Sequence, residues 1–206
     1  MKLKLKNIFN IKRRNHKVRG NLKVIVGLGN PGEKNRKNRH NIGFLICNEI
    51  LKKLGNPKIE LKFYGEISKV SYKNKEILIV KPLTSMNGSG RCVKKIVRNY
   101  STSLDNLLIV HDDMDLNSGR IKFKKGGGSA GHKGVESIID RIKDKNFCRL
   151  RIGIGRPPEK IDPVDYILQD FTEVEFKLLK DGINNITRAV IDYIEFDIKY
   201  VMSKYN

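Results

Sequence analysis

Residues 22 to 54 read LKVIVGLGNPGEKNRKNRHNIGFLICNEILKKL, and the two ends of this stretch obey different periods. Leu22 to Val26 is a short β-rich apolar run ended by glycines, whereas Ile42, Leu45, Ile46, Ile50 and Leu54 recur at helical spacing. The stretch predicts strand, loop and helix, with Gly55 and Pro57 stopping the helix. The alternation continues outward. Phe63 to Tyr72 and Ile77 to Lys81 read as strands joined around Lys73 and Asn74, a hairpin candidate. Val93, Ile96, Val97 and Tyr100 mark a helix, Leu107 to His111 a buried strand, and Ile121 to Lys124 and Arg149 to Ile154 two further strands. Thr172 and Glu175 have capping-box spacing, and Phe176, Leu179, Ile183, Ile186 and Val190 keep one apolar face, so a long amphipathic helix closes the chain. Interleaved helices and strands, without repeat or internal linker, specify an α/β fold: a single domain over 21–206 with a mixed, mostly parallel central sheet flanked by helices. Sites in such sheets lie in the loops beyond the strand ends.

The 206 residues suffice for one continuous apolar core without disulfides. No apolar run approaches the roughly 20 residues that a membrane-spanning helix needs. Cys47, Cys92 and Cys148 are odd in number, widely spaced and form no CxxC pair, so neither a disulfide framework nor a zinc knuckle is indicated, and a reducing, cytoplasmic setting suits them. The charge points to a partner. Lys and Arg number 42 against 22 Asp and Glu, a formal +20, which attracts a polyanion such as nucleic acid through counterion release. Residues 1–20 hold eight of the basic residues and no acid, yet the rest still carries +12. This opening segment has no hydrophobic stretch of the kind a secretory signal needs, and reads as a basic, disordered arm that touches RNA or is simply solvated.

Gly27-Leu28-Gly29-Asn30-Pro31-Gly32 satisfies the GxGxxG spacing of a dinucleotide loop, but the acid about 20 residues on, Glu49, lies inside the helical pattern rather than at a strand end. The loop is better suited to presenting Asn30 from the rim of the sheet. Eight residues later, at the start of the predicted helix, stands His40, whose residue type suits a general base; the alternative is a surface or capping histidine. The strand Leu107 to Val110 runs into His111-Asp112-Asp113-Met114-Asp115, which places a carboxylate, Asp112, where it can orient a histidine from a neighbouring loop. Gly126 to Gly131 begins like a phosphate-binding loop, but His132 stands where the lysine belongs and Gly134 where Ser or Thr belongs. Divalent-metal ligation by Asp112, Asp113, Asp115 and His132 has no recurring ligand spacing behind it.

Six segments then occur in an order that resembles bacterial-type peptidyl-tRNA hydrolases: VGLGNPG (26 to 32), RHNIGF (39 to 44), KPLTSMNGSG (81 to 90), HDDMDL (111 to 116), GGGSAGHKG (126 to 134) and RLRIGIGRP (149 to 157). The resemblance covers nearly all of 22–200. It implies hydrolysis of the ester joining a peptide to the 3′-terminal ribose of its tRNA, by a histidine-activated water, with no metal or cofactor, in a cytoplasmic monomer that recycles tRNA. It makes His40 the base, Asp112 the acid that orients it, and Asn30 and Asn87 the amides that hold substrate and water. Asn35, Met86, His132 and Lys133 fall at substrate-binding positions, and Lys122, Lys124 and Arg151 at positions that grip terminal phosphate, with Lys125 adding charge beside them. Alternation in Ile121-Lys122-Phe123-Lys124 sends the first two lysines to one face, which independently favours a phosphate-facing patch. Ser85, Ser89 and Ser129 are read as loop residues with turn and capping roles.

Three positions depart from the common family pattern: Asn35 where tyrosine is frequent, Ser85 before Met86 where an aromatic is usual, and Lys133 after His132 where Asn often occurs. These put substrate handling in doubt while leaving the catalytic pair intact. A relative of this family acts as an RNA-binding splicing factor, so a non-catalytic RNA-binding module is the second class of function the sequence allows.

Overall fold

β1 (Leu22–Gly27) is buried at all six positions, as a strand covered on both faces requires. In the computed structural model, which describes residues 22–206, it lies at the centre of a seven-stranded sheet of order β2-β3-β4-β1-β5-β7-β6. The others are β2 (Ile59–Lys62), β3 (Gly65–Tyr72), β4 (Lys75–Pro82), β5 (Leu107–Asp113), β6 (Ile121–Lys125) and β7 (Cys148–Gly153). The central strands β4, β1, β5 and β7 are parallel, and the pairings β2 with β3, β3 with β4 and β6 with β7 are antiparallel. The basic arm expected at 1–20 lies outside the described residues.

Period-two alternation sorts the strand residues into two cores. Ile25, Ile77, Ile79, Leu108, Val110, Leu150 and Ile152 pack under α1 (Ile42–Lys53), α5 (Glu173–Glu195) and α6 (Ile198–Tyr205). Val24, Val26, Leu78, Val80, Leu107 and Ile109 face α2 (Ser89–Tyr100) and α3 (Lys133–Ile142) on the other side. Each aliphatic side chain so buried contributes about 1.5–3 kcal/mol relative to exposure, which is why register is strongly specified.

One contact between layers fixes the site. At the start of α1, a Cβ on Gly43 would stand 2.4 Å from the Leu28 nitrogen and 2.5 Å from the Val110 oxygen, so only glycine lets the helix sit directly on the ends of β1 and β5. The turn before that helix, Arg39–Asn41, is thereby pressed against the end of β5.

The predicted hairpin turns at Lys73 and Asn74, both with positive φ, and the capping box at Thr172 and Glu175 is formed. The closing helix differs from expectation. It breaks at Phe196 and restarts as α6, capped by Asp197, whose side chain accepts from the Tyr200 N–H. β2, α3 and the short α4 (Pro163–Leu168) are additional elements; β2 is exposed at all four positions and so has no buried period to read.

Candidate active site

Three strand ends and one helix start converge beyond the carboxyl edge of the parallel strands. The loop after β1 brings Asn30, the loop after β4 brings Met86 and Asn87, the end of β5 brings Asp112, and the first turn of α3 brings His132. With His40 they line a cavity of about 690 Å³.

Asp112 lies at its floor, 4% exposed. Both of its carboxylate oxygens stand 2.9 Å from His40 Nδ1, and Oδ1 is also 3.0 Å from His132 Nε2. Burial opposes its charge, but His132 and then His40, by attraction and hydrogen bonding, hold its carboxyl well below the usual carboxylate range. Asp112 is therefore an anion at neutral pH. A carboxylate only accepts, so His40 Nδ1 carries the proton and donates it. The Nε2 lone pair of His40 is left as the acceptor.

His132 is fixed from both sides. Its Nδ1 accepts the Gly134 and Val135 N–H groups at 3.2 and 3.3 Å, capping α3, so its proton is on Nε2 and is donated to Asp112. His40, Asp112 and His132 place ligand-type atoms within 4.8 Å of one another. A neutral His132 that ligates through Nε2 would need its proton on Nδ1, facing two N–H donors, so this donor set suits hydrogen bonding and not a metal. The four-residue alternative is not assembled either: Asp113 is ion-paired with Arg151, and Asp115 with Arg156.

The asparagines share one logic. Asn41 holds the backbone of Asn30 through two bonds, accepting its N–H at 2.9 Å and donating to its carbonyl at 2.8 Å. Asn30 Oδ1 accepts the Met86 N–H at 2.8 Å, and Asn87 Oδ1 accepts the Ser85 hydroxyl at 2.6 Å. Both residues line the cavity, and with an oxygen of each so engaged, the NH₂ groups are the donors they can offer to a bound molecule. Ser85, at a departure from the family pattern, thus orients Asn87. His111, also lining the cavity, is buried with its Nδ1 2.7 Å from the Asp112 carbonyl oxygen; burial and then the neighbouring His132 push its pKa down to about 3. It stays neutral beside the pair.

The basic residues fall on a different surface. Lys122 pairs across the sheet with Arg151, and Lys124 with Arg149, so all four share one face of β6 and β7. Lys122 and Lys124 are exposed there while Ile121 and Phe123 are buried on the other face. Arg149 is buried and donates to the Gly127 and Gly128 carbonyls, clamping the glycine-rich loop that leads to His132. Lys125 is ion-paired with Asp105 at 2.6 Å. Lys133 lines the cavity and meets Glu136 at 3.2 Å, while Asn35 lies outside the lining, its amide donating to the Pro31 carbonyl.

The structure thus brings together Asn30, His40, Met86, Asn87, Asp112, His132 and Lys133, and leaves Asn35 and Lys125 away from them. Sequence reasoning missed Asn41, Ser85, His111 and Arg149 as parts of this assembly. Only Arg149 carried a signal, because Arg149 and Arg151 alternate with Leu150 and Ile152 as the lysines of β6 alternate with Ile121 and Phe123.

Residues 24–206 match the family model described as peptidyl-tRNA hydrolase. A peptidyl-tRNA hydrolase of Mycoplasma capricolum is 42% identical over 186 residues, covering 90% of this chain and 100% of the relative. That of Aquifex aeolicus is 39% identical, covering 90% and 96% respectively. The crystal structure of peptidyl-tRNA hydrolase from Acinetobacter baumannii superimposes with a TM-score of 0.82 at 34% identity, over 91% of this chain and 95% of that one.

Proposed function

The chain belongs to the peptidyl-tRNA hydrolase family, and we propose that it cleaves the ester between a peptide and the 3′-terminal ribose of tRNA with a water that His40 activates. The observation that carries this reading is the His40 to Asp112 contact at the floor of a cavity that Asn30 and Asn87 also line. His40 Nε2 takes a proton from water as the oxygen attacks the ester carbonyl carbon. Asp112 stabilises the imidazolium that forms and keeps the ring in its productive tautomer. The NH₂ groups of Asn30 and Asn87 place the water and donate to the oxyanion of the tetrahedral intermediate; losing one such donor typically costs about a hundredfold or more. When the intermediate collapses, the ribose 3′ oxygen leaves and takes the proton back from His40 Nε2. The mechanism uses no metal, in keeping with the tautomer of His132.

His132 shares Asp112 and so holds the acid in place, while Met86, through its N–H, fixes Asn30. Lys122, Lys124 and Arg151 grip phosphate at the acceptor end. Such contacts position a nucleic acid without reading its bases, as an enzyme serving many tRNAs requires. In this reading the enzyme acts as a monomer, and among the described residues no helix is long and apolar enough to cross a membrane. A role in recycling tRNA places the enzyme in the cytoplasm.

The test is release of N-acetyl-amino acid from purified N-blocked aminoacyl-tRNA, for the parent protein and His40→Ala, each with and without EDTA. The parent should be active in EDTA and His40→Ala should lose at least about a thousandfold in kcat. A folded parent that binds the tRNA and releases nothing would overturn the reading in favour of a non-catalytic RNA-binding module.

A further inference from the structure

Arg39, the chain neighbour of His40, does not line the cavity; it is 4% exposed and turned into the protein. Its Nη2 stands 2.7 Å from one carboxylate oxygen of Glu175 and its Nε 3.3 Å from the other. Its Nη1 donates to the carbonyls of Tyr166 and Gln169 at 3.2 and 3.4 Å, and the guanidinium lies 4.2 Å from the centre of the Tyr166 ring. The backbone repeats the connection: the Arg39 N–H donates to the Gln169 carbonyl, the Phe171 N–H to the Lys37 carbonyl, and the Asn38 amide to the Leu168 carbonyl. One buried side chain therefore joins the turn that carries His40 to the end of α4 and to the first turn of α5.

α4 is a wall of the cavity, through Val164, Ile167 and Leu168. Val164 and Leu168, four residues apart and so on one face of the helix, remain 61% and 44% exposed. The basic residues Lys122 and Lys124 stand on β6, which leads into the glycine-rich stretch of the lining, Ser129 to Gly131. A substrate with a polyanionic end and an acyl end fits this arrangement in one sense, with phosphates at the basic strand and the acyl group at α4.

We propose that Arg39 is a positioning residue that locks α4 to the turn carrying His40, so that α4 holds an apolar acyl side chain in register with the base. The inference rests on the hydrolase reading and adds to it an acyl preference and the group that enforces it. A guanidinium suits the task because its planar fork meets a carboxylate and two carbonyls at once, which an ammonium does not.

The experiment compares one tRNA body acylated with N-acetyl-leucine or with N-acetyl-glycine, using the parent, Arg39→Met, Arg39→Lys, Val164→Ser and His40→Ala, with thermal melts to establish folding. In the parent the leucyl ester should be preferred about tenfold in kcat/KM, the scale set by a partly open apolar wall. Arg39→Met should bring the ratio close to one, chiefly through a higher KM for the leucyl ester, with Arg39→Lys in between. Val164→Ser, a change at an exposed position, should lower the ratio without touching Arg39, and so decides the matter if Arg39→Met does not fold. An unchanged ratio in folded Arg39→Met, an equal loss for both esters, or an unchanged ratio in Val164→Ser overturns the proposal. A His40→Ala protein as active as the parent overturns instead the assignment of the base, and with it the register that Arg39 is proposed to enforce.

Discussion

Replacing Asp112 by Asn probes the centre of the proposed mechanism with almost no change in volume. His40 Nδ1 is 2.9 Å from each carboxylate oxygen, so whichever way the new amide is turned its NH₂ group lies at hydrogen-bond distance from a nitrogen that now carries a proton. If the amide nitrogen takes the Oδ1 place it also faces the Nε2 proton of His132 at 3.0 Å, so the amide settles with nitrogen at the Oδ2 place. There it competes for Nδ1 and favours the tautomer whose proton is on Nε2, which cannot accept a proton from water. The negative charge that stabilises the imidazolium is lost as well. The same substitution in a Ser-His-Asp triad lowers kcat by about ten thousandfold, and a loss of about 10³ to 10⁴ here corresponds to roughly 4 to 5.5 kcal/mol of transition-state stabilisation. The interaction is made in the transition state, so kcat and kcat/KM should fall together with KM little changed. Steady-state cleavage of N-acetyl-aminoacyl-tRNA, beside a thermal melt, measures this. A folded Asp112→Asn protein that retains more than a tenth of parental kcat would refute the role given to Asp112.

His111 sets a dependence of stability on pH. Its folded pKa of about 3 lies below the ordinary value of 6.5, so as pH falls the unfolded chain takes up this proton first; the contribution is complete above about 6.5 and declines towards about 3. The decline is at most about 1.4 kcal/mol per pH unit, and urea midpoints at pH 7 and 5 should differ less in His111→Gln than in the parent; an equal difference contradicts the assignment. Removing Lys122 and Lys124 together should flatten the dependence of log KM on log salt by about 1.4 to 1.8, two phosphate contacts at roughly 0.7 to 0.9 each. Lys125→Ala, which removes a lysine paired with Asp105, should leave that slope as it is. Gly43→Ala forces a methyl group onto backbone atoms of Leu28 and Val110, and should cost about 3 kcal/mol or more in urea unfolding; a loss under about 0.5 kcal/mol would show that α1 can shift.

The elements legible in the sequence were those with a buried face. β1, β4 and β5 are apolar runs of the length a covered strand needs, and α2 and α5 show one stripe each, so their burial wrote their period into the chain. β2 could not be read because Ile59 and Leu61 are both exposed and are held by pairing with β3 alone. The break at Phe196 was hidden by continuity of apolar residues from α5 into α6, since both helices cover the same core.

The site divides along a similar line. Loop position and residue type singled out Asn30, His40 and Asp112, because glycine-rich loops and strand ends leave a local mark. How they cooperate is set at long range: His40 and Asp112 are 72 residues apart, and meet only because β5 lies beside β1 and Gly43 lets α1 close on both. The resemblance put His132 at a substrate-binding position in the glycine-rich segment; that its two ring nitrogens join α3 to Asp112, and thereby fix two proton positions at once, is visible only in the fold. Of the four missed residues, Asn41, Ser85 and His111 act through hydrogen-bond direction, which has no period, and the alternation that marks the face of Arg149 does not show that its guanidinium reaches the Gly127 and Gly128 carbonyls. Arg39 is the extreme case, since the consequence proposed for it lies in α4, where its partner Tyr166 is 127 residues on, and the chain between them contains every strand from β2 to β7. A residue of this kind is found by asking which buried charge ties a wall of the cavity to its base, a question that can be put only once the strands are in order.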